Sequence, residues 1–372
     1  MNPSDEYRPG LEGVVATETA ISFLDVDHEE IVIRGYDLIA LARHLDYLSV
    51  AHLLIEGCLP SPGENASFTK GVLGHQTWEG PIENVLRNLA PDGHLMDFLR
   101  TGLSCLATYD PDLDDHSTDA TLRQALRLLG QIPMIVANSY HIKHQQPSIL
   151  PDPELGYSAN FLYMITGRKP TIQESQAFDQ LLTVYSEHEM PNSTFAAIVI
   201  ASTLTDLYGA LVGATASLKG PLHGGANEAV MRMVLDMETI DQVEPWLLAK
   251  LAAKERIMGF GHRVYMHQPD PRAVLMKELF QQLVHTPEQE NLFEMFTRGE
   301  MVMQREKGLY PNLDYYAAPV YYLLGIPIEL YTPIFFAARS AGLIAHIREQ
   351  YAHNRLFRPR VRYTGARHLQ LD

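Results

Sequence analysis

Two long apolar stretches set the terms on which this chain can fold. Residues 192–218 are interrupted by Asp206 and rich in Ser, Thr and Gly, and residues 315–345 carry Pro319, Pro327, Pro333, Glu329 and Arg339. A membrane span needs about 20 consecutive apolar residues, and neither stretch is unbroken for that length. Both must be buried against other protein, so 192–218 and 333–347 are the expected central helices of one core. Arg339 then lies inside an apolar run, and a buried charge there needs a reason.

Around these stretches the periodicity is helical almost throughout. Apolar residues recur at three- and four-residue steps over 37–57, over 121–145 with Pro133 kinking or splitting it, and over 156–167 and 172–187. The same pattern covers 226–239, 243–256, 272–285, 289–306, 314–325 and 333–353, and 192–218 reads as one long helix with Asn192 or Ser193 as N-cap. The only convincing strand material is ISFLDVDHEEIVIRGYD, two short apolar runs flanking an acidic turn, which predicts a small N-terminal hairpin. No β-α alternation and no fixed-period repeat occurs. The class is all-α, with many helices. Residues 240–310 are richer in charge than their flanks. The chain is therefore expected to divide into a large helical domain, 1–222 and 320–372, and a small domain, 223–319, inserted between them. Clefts between such units are common ligand sites.

A chain of 372 residues with 46% hydrophobic side chains can bury a sizeable core. Its 45 acidic and 29 basic residues leave a formal charge of −16, a field that repels nucleic acid and anionic membranes. An anionic substrate would have to be gripped by local arginines against that field. Cys58 and Cys105, far apart in sequence, build neither a disulfide framework nor a CxxC zinc pattern. The opening MNPSDEYRPG has no basic n-region and no apolar h-region, so a cytoplasmic location is expected.

Four strings concentrate titratable residues beside helix breakers: YSEHEMPNSTF with His188, GPLHGGANEAV with His223, IMGFGHRVYMHQPDPR with His262 and Arg272, and YPNLDYYAAPV with Asp314. His188 carries no second histidine at the HExxH spacing, so no zinc site is read. Gly259 and Gly261 follow a charged helical run and do not complete GxGxxG, and no GxSxG elbow occurs. In GPLHGG a helix starting at about Ala226 would aim its free N–H groups and positive dipole end at His223. That keeps the imidazole neutral, and a neutral ring can donate to a developing oxyanion. Arg272, Arg339 and the run Arg355, Arg358, Arg360 and Arg362 supply guanidinium groups suited to a small di- or tricarboxylate.

Taken in order, from RGYD (34–37) to FRPR (357–360), these strings resemble the citrate synthase family, and within it the short bacterial citrate/2-methylcitrate synthase branch. The resemblance implies condensation of an acyl-CoA, acetyl-CoA or propionyl-CoA, with oxaloacetate and water, as a tricarboxylic acid cycle enzyme. A dedicated 2-methylcitrate synthase of propionate metabolism is the alternative, and a helical scaffold without chemistry the non-enzymatic one. By resemblance His223 stabilises the enolate, His262 polarises the oxaloacetate carbonyl and protonates the alkoxide, and Asp314 takes the α-proton. His188, Asn192, Arg272 and Arg339 match oxaloacetate ligands, and Arg358 matches an arginine supplied by a partner subunit. Met258, Gly259, Gly261, Lys307 and Asn312 match positions near coenzyme A. The family pattern implies a homodimer with shared sites and no metal or separate cofactor, the coenzyme A thioester being a substrate. Where many members carry serine three residues after the catalytic aspartate, this chain has Ala317, a slightly roomier and more apolar neighbour that would tolerate an extra methyl. The chain lacks the N-terminal extension of longer relatives that NADH inhibits, so no such inhibition is expected.

Overall fold

The computed structural model describes residues 7–25, 28, 30–78, 80–261 and 268–370. The second apolar stretch is buried by one helix, Tyr331–Ala352, whose Ile334, Phe336, Leu343, Ile344 and Ile347 are fully shielded. Each such side chain taken from water contributes about 1.5–3 kcal/mol. Helices Tyr47–Glu56, Thr118–Lys143, Ile172–Tyr185, Asn192–Ala201 and Leu207–Leu218 pack around it. Near its end Arg348 donates through Nη1 to the Ile55 carbonyl at 2.7 Å and through Nε to Thr121 Oγ1 at 3.1 Å, tying three helices together.

The first apolar stretch is two helices rather than the single one expected. Asn192–Ala201 ends at Ser202, Leu204 takes a left-handed φ of 60°, and the Asp206 carboxylate caps Leu207–Leu218 through Gly209 N at 2.7 Å. The residue that interrupts the apolar run is thus the cap of a new helix. The two helices cross so closely that a Cβ on Gly213 would sit 2.0 Å from Ile200 Cδ1. The N-cap of the first is Pro191, with no side-chain cap, and neither Asn192 nor Ser193 fills that role.

Residues 37–57 also divide, into Leu38–His44 and Tyr47–Glu56, each capped by an aspartate, Asp37 and Asp46. Thr118–Lys143 runs through Pro133 without splitting. Helices Pro62–Gly74, Gly80–Arg87 and Leu95–Ala107 fill a region the periodicity did not resolve, although the Ser61–Glu64 capping box was a readable start. The hairpin forms as expected. Strands β1 (Ser22–Asp25) and β2 (Glu30–Ile33) pair antiparallel with Ser22 opposite Ile33, and β3 (Tyr36–Asp37) adds to β2.

Between residues 226 and 323 the helices pack largely on one another. Ala226–Asp236 and Pro271–Gln282 lie on Leu313–Leu323, and Ile240–Ala252 lies on Pro287–Lys307. Phe296 and Tyr315 stack edge-on at 4.9 Å between their centroids, and the Tyr315 hydroxyl donates to the Phe296 carbonyl at 2.8 Å. This aromatic joint fixes the start of Leu313–Leu323, which carries Asp314. Among the described residues no helix is long and apolar enough to cross a membrane.

Candidate functional site

His223 sits in a turn built by its glycines. Gly225 takes φ 79° and begins helix Ala226–Asp236 as its N-cap, and a Cβ on Gly224 would lie 2.1 Å from the Leu218 carbonyl oxygen. No side chain fits at the second position, and the left-handed region disfavours one at the first. The ring Nε2 lies 3.2 Å from Ser193 N and 2.9 Å from Ser193 Oγ. A backbone N–H can only donate, so Nε2 accepts, and the neutral ring carries its proton on Nδ1, where it is a donor. Burial, with the positive Arg339 second, pushes the imidazole down to about 4. The helix start is where the sequence put it, and burial and the charge of Arg339 add to its effect in holding the ring neutral.

Asp314 is the second residue of Leu313–Leu323. Asn312 caps that helix by accepting from Asp314 N at 3.1 Å, and its Nδ2 donates to the Gly261 carbonyl at 3.1 Å. Asn312 N bonds Gly259 O at 2.9 Å and Gly261 N bonds Tyr310 O at 3.0 Å, which zips the GFG and YPN strings together. Asp314 Oδ1 accepts from the Tyr185 hydroxyl at 2.7 Å, while Oδ2 makes no hydrogen bond among the described residues. Burial raises this carboxyl above the usual carboxylate range, against the opposing pull of Tyr185, Arg272 and Arg339. A carboxylate raised in this way is a stronger base than one in water.

Two buried arginines face these groups. Arg272 presents Nε and Nη2 to Asp270 at 3.0 and 2.8 Å, and Asp270 also accepts from Leu313 N at 3.2 Å. One carboxylate therefore orients the guanidinium and the helix that carries Asp314. Arg339 donates through Nε to the Tyr185 carbonyl at 2.6 Å and lies 4.8 Å over the Phe335 ring. Its terminal nitrogens make no hydrogen bond among the described residues. Burial lowers it to about 10, still charged at neutral pH. Beside them, Glu187 is fully buried and accepts from Ser22 Oγ at 2.8 Å, with His346 Nε2 at 3.1 Å. Burial pushes its carboxyl up, but His346, Arg339 and Ser22 together bring it below the ordinary value. Glu189, with φ 60°, donates its N–H to Ser22 Oγ at 3.1 Å. His188 lies in the chain between these two fixed points and is half-buried.

His223, Asp314, Arg272 and Arg339 thus share one electrostatic neighbourhood centred on Arg339. The expected site residue His262 lies outside the described residues. Asn192 is exposed, and its Oδ1 accepts from Ser217 Oγ at 2.6 Å. Arg358 lies in the exposed tail, and its neighbour Phe357 bonds Ser202 Oγ at 3.2 Å. Ser202 is at the far end of Asn192–Ala201 from Ser193, about 13 Å along the axis. The contact of Phe357 thus ties the tail to the end of that helix remote from Ser193. Lys307 is exposed at the end of its helix and Met258 is half-buried. A Cβ on Gly259 would meet Val230 Cγ2 at 2.7 Å and Tyr315 Cδ2 at 2.8 Å, so packing within the chain requires the glycine. A Cβ on Gly261, at φ 76°, would meet Leu309 Cδ2 at 3.7 Å and nothing nearer among the described residues. No group of three or more His, Cys, Asp or Glu side chains that could hold a metal occurs among the described residues.

In the string YSEHEMPNSTF the sequence motif names His188 and Asn192 as site residues. Tyr185 and Glu187 in the same string, Ser193, expected there only as a helix cap, and Asp270 in DPR also organise the site. The available signal is density: Ser186, Glu187, His188 and Glu189 stand together just before an apolar helix.

The chain matches the family model described as citrate synthase, C-terminal domain, over residues 10–360. It is 55% identical to a citrate synthase of Heyndrickxia coagulans over the whole of both chains. It is 56% identical to a citrate/2-methylcitrate synthase of Bacillus subtilis (strain 168), covering 99% of each chain. Among solved structures, citrate synthase from Thermoplasma acidophilum, in a ternary complex with carboxymethyl coenzyme A and oxaloacetate, superposes with a TM-score of 0.92 at 31% identity over 98% of each chain.

Proposed function

This chain belongs to the citrate synthase family, and on that premise we propose that it condenses acetyl-CoA, and also propionyl-CoA, with oxaloacetate and water to give citrate or 2-methylcitrate and free coenzyme A. The observation that carries this reading is a neutral histidine, donating from Nδ1, in one electrostatic neighbourhood with an elevated carboxylate and two buried guanidinium groups. A proton beside a thioester carbonyl is too weakly acidic for a lone carboxylate. Asp314 removes it through Oδ2 as His223 Nδ1–H meets the charge developing on the thioester oxygen. The enol carbon attacks the ketone carbon of oxaloacetate, and the ketone oxygen becomes an alkoxide that takes a proton from His262, the role its GFGH motif implies. Water then cleaves the thioester and coenzyme A leaves. Arg272 and Arg339, with His188 and Asn192, hold the carboxylates of oxaloacetate.

The paired names of the two relatives support use of both acyl groups, and Ala317 beside the base supports room for the extra methyl. The assembly is a homodimer in which Arg358 of each chain serves the other's site, a reading supported by its exposure in the tail. Residues 223–319 close as a unit over the substrates and exclude water from the thioester. The enzyme works in the cytoplasm, in the tricarboxylic acid cycle. The test is thiol release from acetyl-CoA and from propionyl-CoA in the presence of oxaloacetate, for the wild type and for Asp314→Asn. The variant should bind oxaloacetate normally and lose about 10²- to 10⁴-fold in turnover. Near-normal turnover in Asp314→Asn would remove the assignment.

A further inference from the structure

The polar contacts of the site converge on a residue that neither acid–base chemistry nor substrate charge requires. Tyr185 ends helix Ile172–Tyr185 and is 1% exposed. Its hydroxyl donates to Asp314 Oδ1 at 2.7 Å, and its carbonyl accepts from Arg339 Nε at 2.6 Å. Its ring is held by Phe335 at 4.8 Å and Tyr321 at 6.3 Å between centroids. Phenylalanine would fill the same space and make the same ring contacts, so packing gives no reason for the hydroxyl. A buried hydroxyl is costly without a partner, and here the partner is the general base.

We infer that Tyr185 is the positioning residue of the site: its hydroxyl dictates which oxygen of Asp314 takes the proton, and its carbonyl sets the guanidinium of Arg339, so that base and dicarboxylate grip are aligned through one residue. The inference rests on the condensation reading above. With Oδ1 engaged by Tyr185, the new O–H bond forms at Oδ2. The α C–H bond breaks, and its electron pair moves to the thioester oxygen held by His223. The Tyr185 bond favours the ionised carboxylate. Burial and Asp270 act against it. Arg272 from helix Pro271–Gln282 and Arg339 from helix Tyr331–Ala352 act with it. Tyr321, on the helix of Asp314 itself, is held neutral by burial and by the same carboxylate. Burial and Asp314 likewise keep the Tyr185 phenol far above its ordinary value, so it remains a donor at any working pH.

Tyr185→Phe, followed by thiol release across about pH 5.5 to 9.5, reads the base directly. The acid limb of kcat should move up by about one to two pH units, with turnover at neutral pH falling about 10-fold and recovering in alkali. KM for oxaloacetate should stay within about twofold, because the carbonyl that holds Arg339 is unchanged. Placing 3-fluorotyrosine at 185, a more acidic phenol and stronger donor, should move the limb down instead. A loss equal at every pH, or an unmoved limb in Tyr185→Phe, overturns the inference. If Tyr185→Phe does not fold, the fluorinated protein decides alone, and its unmoved limb is the refuting result. Asp314→Asn separates the two claims. If it keeps turnover, the condensation reading fails. If it is inactive while the limb of Tyr185→Phe stays in place, only the role of Tyr185 fails.

Discussion

Ser193 offers a sharp test of how His223 is held. Its backbone N–H lies 3.2 Å and its hydroxyl 2.9 Å from the same ring nitrogen. The N–H alone is enough to make Nε2 an acceptor and to leave the proton on Nδ1. Ser193→Ala removes only the hydroxyl, so the tautomer should survive. One neutral hydrogen bond is worth about 0.5–1.5 kcal/mol, which converts to roughly a 2- to 10-fold loss in kcat. His223→Ala removes the oxyanion donor itself and should cost about 10²–10³-fold. The assay is steady-state thiol release at saturating oxaloacetate, with oxaloacetate affinity measured separately by calorimetry for both variants. Affinity should be unchanged in each, since the role proposed for His223 is at the thioester and not at oxaloacetate. The reasoning is refuted if Ser193→Ala is as damaged as His223→Ala, because the backbone donor would then not be setting the tautomer. A His223 ring that titrates near 6.5 in the NMR spectrum of the folded protein would refute it equally.

The same ring makes stability depend on pH. The unfolded chain takes its proton near 6.5 and the folded one near 4, so this contribution is complete above pH 6.5 and is lost as pH falls toward 4. The full drop corresponds to roughly 3 kcal/mol, about 1–2 after solvent screening of a partly open ring, and His223→Ala should flatten the thermal midpoint over that window. Gly342→Ala should lower the midpoint and raise KM for oxaloacetate, because a Cβ there would lie 2.2 Å from Glu187 Oε2 and 2.5 Å from the Ser186 carbonyl. Relief by shifting the central helix costs about 1–3 kcal/mol, and an unchanged midpoint in a thermal scan contradicts the packing. Mixing a His223→Ala chain with an Arg358→Ala chain under subunit exchange should restore about a quarter of wild-type activity, from half the dimers with one intact site of two. No recovery despite exchange would mean that Arg358 serves its own chain.

Helix type was legible in this sequence because period and capping are local. The N-terminal hairpin and the helix start at Ala226 were read from runs of a few residues, and both formed. Where the reading of helices failed, a local residue had been given the wrong weight: Asp206 was taken as an interruption of one helix when its carboxylate begins another. The chemistry divides along the same line. His223 and Asp314 stand out in their own strings, since a titratable side chain between helix breakers is visible wherever it occurs. What sets their protonation is not local. The hydroxyl on Asp314 comes from 129 residues earlier in the chain, and the carbonyl on Arg339 from 154 residues earlier. No periodicity records such a pairing, because it exists only once helices Ile172–Tyr185, Leu313–Leu323 and Tyr331–Ala352 have packed. The helix start beside His223 is one part of what keeps the ring neutral, and the rest is not local. A helix start is readable in a dozen residues, whereas burial and the charge of Arg339 arrive with the tertiary fold. The motifs therefore name His223 and Asp314, while Ser193 on helix Asn192–Ala201 selects the ring nitrogen that is left to donate and Tyr185 on helix Ile172–Tyr185 selects the carboxylate oxygen that is left open.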